Sequence, residues 1–154
     1  MPSAYHANVE KGILAFGKKY KKFEKIYRSN VPIHINHPTK PTRPILYRPD
    51  VHFLTKLGKR YIFEILDSEL KNENLIIADI LLACLCPNAS YVIFIVPTQE
   101  DQDKVMDLAF TVTDNLLSKG IPKKELPKGA VYYILRREAK TPETVKGILV
   151  SLIG

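Results

Sequence analysis

An α/β sandwich, a mixed sheet with helices on both faces, is the fold class this sequence predicts, and three features predict it. Stretches with apolar residues every three or four positions alternate along the chain with short runs rich in isoleucine, valine, tyrosine and phenylalanine. One run, Tyr91 to Val96, is apolar throughout and stops at Pro97, which suits a central strand buried on both faces. Another stretch, Pro49 to Leu66, holds two such runs about a turn containing Lys56, Gly58 and Lys59, and reads as an antiparallel hairpin.

Taken in order, residues 5–28 are expected to form the first helix. Ile13, Phe16, Tyr20, Phe23 and Tyr27 recur at helical spacing and define its buried stripe. Lys11, Lys18, Lys22 and Lys25 form a second row, with Lys19, Lys21 and Arg28 beside it. Val31 to Ile35 reads as the first strand. The segment from His37 to Pro44 carries three prolines and reads as an exposed, extended loop. The hairpin follows, and then a helix from Asn72 to Cys86 that is apolar on most faces. After the buried strand, Thr98 and Asp101 make a capping box for a helix ended by Gly120. Val131 to Arg137 is the last strand, and Thr141-Pro142-Glu143 opens a final amphipathic helix. That helix is read as closing the core, with a homodimer as the alternative. The expected order is α-β-β-β-α-β-α-β-α.

With 154 residues the chain has the length of one ordinary domain, 1–154, and no internal repeat or linker divides it. A 45% hydrophobic and 25% charged composition is that of a globular protein. The longest apolar runs are too short to span a bilayer, and no leader with a charged and then an apolar region is visible. Both point to an intracellular, cytoplasmic protein with no membrane partner. Cys84 and Cys86 lie two apart on a helix, where their side chains diverge, and read as buried structural thiols in a reducing compartment. His34 and His37 fall on a strand end and a loop rather than one helix face, and are not read as metal ligands.

The net charge of +7 is unevenly placed: residues 1–60 hold 13 Lys and Arg against 3 Asp and Glu, whereas residues 61–154 hold 10 against 13. The two parts therefore carry +10 and −3. A basic surplus that is not balanced by acids one helical turn away suits a polyanionic partner, and the expectation is nucleic acid, DNA first. Lys18, Lys19, Lys22 and Lys25, together with Arg43, Arg48 and Arg60, are the candidate phosphate contacts, and their positive field is expected to border the hairpin.

Each hairpin strand carries one acid, Asp50 and Glu64, equally far from Leu57. Folding the chain at Leu57 sets the two carboxylates against one another, a repulsive arrangement unless a divalent cation lies between them. Glu64 also stands between Ile62 and Leu66 on one strand face, an expensive place for an unpaired charge. His52, two residues beyond Asp50, is a packed strand histidine or else a group placed to assist a water or a phosphate.

Pro49-Asp50, thirteen intervening residues and then Glu64-x-Leu66 on an apolar strand resembles the PD-(D/E)xK nuclease superfamily. The order of elements over about the first hundred residues is similar to that of its restriction-endonuclease-like α-β-β-β-α-β core. The resemblance implies that Asp50 and Glu64 hold Mg²⁺ or Mn²⁺, with the backbone carbonyl of Ile65 and the first-helix acid Glu10 as further ligands. It also implies a lysine two residues after the glutamate, and Leu66 stands there instead. Lys71, at the start of the next helix, is the candidate to take the missing lysine's catalytic place; Lys59 lies too far along the strand. The implied function is Mg²⁺-dependent cleavage of DNA phosphodiester bonds. The alternative is a catalytically inactive, nuclease-like nucleic-acid-binding or interaction protein. A third reading makes the two acids an accident on an unrelated α/β fold.

Overall fold

The computed structural model describes residues 3–36 and 43–154. Helix α1 spans Ala4–Lys19 and is followed by strands β1 Phe23–Arg28, β2 Ile33–Ile35, β3 Ile45–Tyr47, β4 Val51–Thr55 and β5 Arg60–Ile65. A short 3₁₀ turn, Ser68–Lys71, leads into α2 Glu73–Leu85, then β6 Ala89–Val96 and α3 Gln99–Ser118. A second 3₁₀ turn, Lys123–Glu125, precedes β7 Lys128–Tyr133 and α4 Pro142–Leu152. Five strands form one mixed sheet in the order β1-β4-β5-β6-β7, and β2 and β3 form a separate hairpin. The β1–β4 and β4–β5 pairs are antiparallel, and the β5–β6 and β6–β7 pairs are parallel.

The α/β expectation therefore holds, with helices on both faces. Side chains that alternate along the strands divide between two cores. One face presents Phe53, Phe63, Ile65 and Ile93 to Val9, Ile13 and Phe16 of α1 and to Val145 and Leu149 of α4. The other presents Ile62, Leu66, Val92 and Phe94 to Ile76 and Ile80 of α2, to Val105 and Val112 of α3, and to Ile33, Ile35 and Tyr47 of the small hairpin.

The first helix is shorter than expected. It stops at Lys19, where Tyr20 turns to extended backbone, and Phe23–Arg28 becomes an edge strand antiparallel to β4. Its aromatic stripe continues across the break, because Phe16, Tyr20 and Phe23 still pack ring against ring. The strand beside β4 is thus β1 rather than residues 31–35, which instead pair with β3. Residues 37–42, including His37 and most of the proline-rich segment, lie outside the described residues. The β4–β5 turn is as read, with Gly58 at φ 78° in the left-handed region that glycine enters at least cost.

Strand directions give the sheet two unlike ends. The start of β4 and the C-terminal ends of β1, β5, β6 and β7 meet at one end. The β4–β5 turn, the first residues of β6 and β7 and the C-terminal end of α1 meet at the other.

Candidate functional site

Val51 pairs with Phe63 and His52 with Ile62, so one position further sets Asp50 against Glu64, as the symmetry of the hairpin predicts. Their contacts are reciprocal. The Asp50 N–H donates to Glu64 Oε1 at 2.9 Å, and the Ile65 N–H donates to Asp50 Oδ2 at 2.7 Å. Each acid is thereby anchored to the backbone of the opposite strand end. Ile65 thus meets the site through its N–H.

Glu64 is only 4% exposed. Its carboxyl is pushed well above the ordinary range, first by burial and then by the charges of Asp50 and Asp79; the hydrogen bond from Asp50 N–H opposes the shift only in part. Asp79, on α2, is pushed up to about 6 by burial and by Glu69 and Asp50. Four carboxylates thus act on one another at this end of the sheet, and no cationic side chain appears among the causes of either shift.

Two further side chains frame the pair, and the sequence did not single them out. His6, on α1, places Nε2 3.1 Å from Asp50 Oδ1, and this bond raises its pKa, with burial opposing. Tyr47, from the small hairpin, is 2% exposed. Burial, followed by the field of Glu64 and Asp79, raises its hydroxyl above the usual phenol range. Among the described residues, the buried hydroxyl of Tyr47 and Nδ1 of His6 both lack a hydrogen-bond partner. Groups of this kind ordinarily find water or a ligand. No periodicity marks His6 or Tyr47, because they arrive from α1 and β3 only through tertiary packing.

The other expected residues divide. Glu10 accepts from the Arg28 guanidinium, with Oε1 2.7 Å from Nη2. Asp67 is bound by Arg136 and by the Ser3 hydroxyl; these outweigh burial and hold its carboxyl below the usual range. Glu69 accepts the Asp67 N–H at 3.0 Å. Leu66 is 1% exposed within the second core, so its position offers no route for a charged side chain. Lys71 ends the 3₁₀ turn, exposed, and no described hydrogen bond joins it to either acid.

His52 proves to be a packing residue. It is 1% exposed and stacked on Tyr27 at 4.8 Å. Arg60 can only donate, so Nδ1 of His52 accepts from it at 3.2 Å and Nε2–H donates to the Val31 carbonyl at 3.2 Å. Burial holds this neutral ring down to about 4. Arg60 is therefore engaged by His52.

The expectation that positive charge borders the acidic pair needs correction. Lys18 and Lys19 end α1, Lys22 lies in the following turn, Lys25 is on β1 and Arg60 begins β5, all toward the opposite end of the sheet. Of the expected phosphate contacts, Arg48 lies just before Asp50 and donates to the Asn30 carbonyl at 3.3 Å, while Arg43 is exposed at the edge of the described residues.

As a donor set, the pair suits only one kind of ion. Among the described residues, no three of His, Cys, Asp and Glu converge as a ready coordination group. Two carboxylates suit a hard cation such as Mg²⁺, which keeps several of its waters, rather than a metal held wholly by side chains. The cysteines are free, Cys84 half-buried and Cys86 buried, and burial raises both thiols. No helix among the described residues is long and apolar enough to cross a membrane. Compared with protein-family models, with curated proteins and with solved structures, the chain matches none.

Proposed function

We propose that this chain is a divalent-metal-dependent nuclease that acts on DNA phosphodiester bonds, built on a restriction-endonuclease-like core. The observation that carries the reading is the register that sets Asp50 against the buried Glu64, inside a group of acids whose one facing counter-charge among the described residues is the imidazole of His6. The fold reading draws support from the order α1-β1-β4-β5-α2-β6, a helix, three antiparallel strands, a helix and a parallel strand.

Asp50 and Glu64 hold Mg²⁺ or Mn²⁺, with the Ile65 carbonyl nearby in the chain and Glu10 available once it leaves Arg28. The ion's chemistry is to lower the pKa of a bound water and to stabilise the leaving oxygen. His6 orients Asp50 from α1. Lys71 swings toward the phosphate in place of the missing lysine, a contribution that is typically worth on the order of a hundredfold in rate.

The second reading, a binder of nucleic acid without cleavage, is favoured by Leu66, whose buried side chain cannot serve as that lysine. Calorimetric titration with Mg²⁺ and with Mn²⁺ is expected to show one site that Asp50→Ala and Glu64→Gln both abolish. Metal binding that survives both substitutions removes the site. On plasmid and single-stranded DNA, metal-dependent cutting that Glu64→Gln lowers by at least a hundredfold supports the nuclease. Metal binding without cutting selects the second reading.

A further inference from the structure

The end of the sheet opposite the acid pair carries a charge of the other sign. Lys18, Lys19, Lys21 and Lys22 close α1 and its following turn, and all four are exposed. The β4–β5 turn adds Lys56 and Lys59, and the segment before β7 adds Lys119, Lys123 and Lys124, also exposed. Lys128 opens β7. The acids at this end are Glu125 and, at the start of β1, Glu24, and among the described residues none of these lysines stands in an ion pair. Ten lysines against two acids leave this end strongly positive, and the field they make attracts polyanions.

Charge alone does not choose the polyanion; the aromatic residues do. Tyr61 and Tyr91, half-exposed on neighbouring parallel strands, lie with ring centroids 4.7 Å apart at 37°. Lys22 sits over the Tyr61 ring at 5.5 Å, and Lys128 sits over the Tyr91 ring at 6.0 Å. Aromatic rings with lysine ammonium groups over them offer stacking faces beside phosphate contacts, the combination that recognises unpaired nucleotides. Around the same sheet end, on the face that carries α2 and α3, Lys59 and Lys124 line a cleft of about 400 Å³ with Glu125, Asn88 and Ile121.

We propose that this end of the sheet is a binding surface for single-stranded nucleic acid, whose bases stack on Tyr61 and Tyr91 while its backbone follows the lysines into the Lys59–Lys124 cleft. It goes beyond the acid pair's reading and stands whether or not that pair cleaves anything. A duplex, with its bases stacked inward, uses the lysines alone. The preference is therefore for unpaired strands.

The test is fluorescence anisotropy of the full chain with a labelled 20-nucleotide single strand and with its duplex, in EDTA so that no metal chemistry contributes. Lys59→Glu/Lys124→Glu/Lys128→Glu is compared with Arg137→Glu/Lys140→Glu/Lys146→Glu, which changes net charge equally elsewhere. The first variant is expected to lose at least tenfold in affinity for the single strand. Its plot of log affinity against log salt should become shallower by up to about 2. The control variant should lose less than threefold. Tyr91→Leu, which keeps apolar bulk on the strand, is expected to weaken single-strand binding about fivefold and to leave duplex binding unchanged. Thermal melts confirm that each variant is folded. Equal losses in the two charge variants, or full single-strand affinity in folded Tyr91→Leu, overturn the proposal. So does tighter binding to phosphatidylserine vesicles that the oligonucleotide cannot displace, which would make this end a membrane-facing surface.

Discussion

Asp79 sits on α2 with Glu69 and Asp50 in its field, and the cost of that placement depends on pH in a way that can be measured. Burial, then Glu69 and Asp50, push its carboxyl up from 3.8 to about 6. An acid that holds its proton more tightly when folded costs nothing below its unfolded value and its full amount above the folded one. Stability from this group therefore falls as pH rises from about 4 to 6 and stays level beyond. Asp79→Asn is expected to match the wild type near pH 3.5. By pH 7 it should be more stable by about 1 to 2 kcal/mol, a figure reduced to allow for the carboxyl's partial solvation. His52 acts in the opposite sense over an overlapping window: its ring, held down to about 4, costs stability as pH falls below 6.5. Both proteins retain His52, so the difference between their urea midpoints isolates Asp79. A difference that does not change with pH would mean that neither burial nor the surrounding acids raise the Asp79 carboxyl.

Packing between elements depends on backbone approach as much as on side-chain shape, and two glycines show this with opposite sign. On α1, a Cβ at Gly12 would overlap the Val145 side chain of α4, so the two helices pack as closely as they do only because position 12 has none. Gly12→Ala should destabilise by about 1 to 3 kcal/mol through forced separation of α1 and α4. Gly147 lies on α4 with nothing within 4 Å of a built Cβ. There, alanine should stabilise by about 0.5 to 1 kcal/mol by removing backbone freedom from the unfolded chain. Chemical denaturation of the two variants checks both signs; a stabilised Gly12→Ala would mean that the helices can shift apart freely. The elements that the sequence made legible are those whose signals are local. Thr98 accepts the Asp101 N–H and donates to its carboxylate, and Thr141 caps α4 with Pro142 in its first turn. The boundary it obscured is the one between α1 and β1. Phe16, Tyr20, Phe23 and Tyr27 keep a helical spacing through the break, and the nearby glycine, Gly17, lies inside the helix's last turn rather than after it. What ends the helix is pairing with β4, a contact between segments some 25 residues apart that no local window contains.

Across the whole molecule, the facing acids and the cluster of ten lysines occupy opposite ends of one sheet. The facing of Asp50 and Glu64 was legible because a symmetric hairpin fixes its own register. His6, Tyr47 and Asp79 were not, since they come from α1, β3 and α2 and meet the acids only when the fold closes. Counting charge over residues 1–60 and 61–154 found the basic surplus but misplaced it, because β4 carries the chain from the acidic end to the basic one within six residues. At the rise of a strand, that separates Asp50 from Lys56 by about 20 Å, roughly two Debye lengths at physiological salt. Occupation of one end should therefore leave the other nearly unaffected. A hexanucleotide, too short to span both, is expected to bind the basic end in EDTA. Saturating Mg²⁺ at matched ionic strength should change its affinity by less than twofold. By reciprocity, a saturating hexanucleotide should change Mg²⁺ affinity by the same small factor. Anisotropy measures the first and calorimetry the second; a shared tenfold change would mean that cation and strand meet at one place, and that the separation of charge along the sheet does not organise binding.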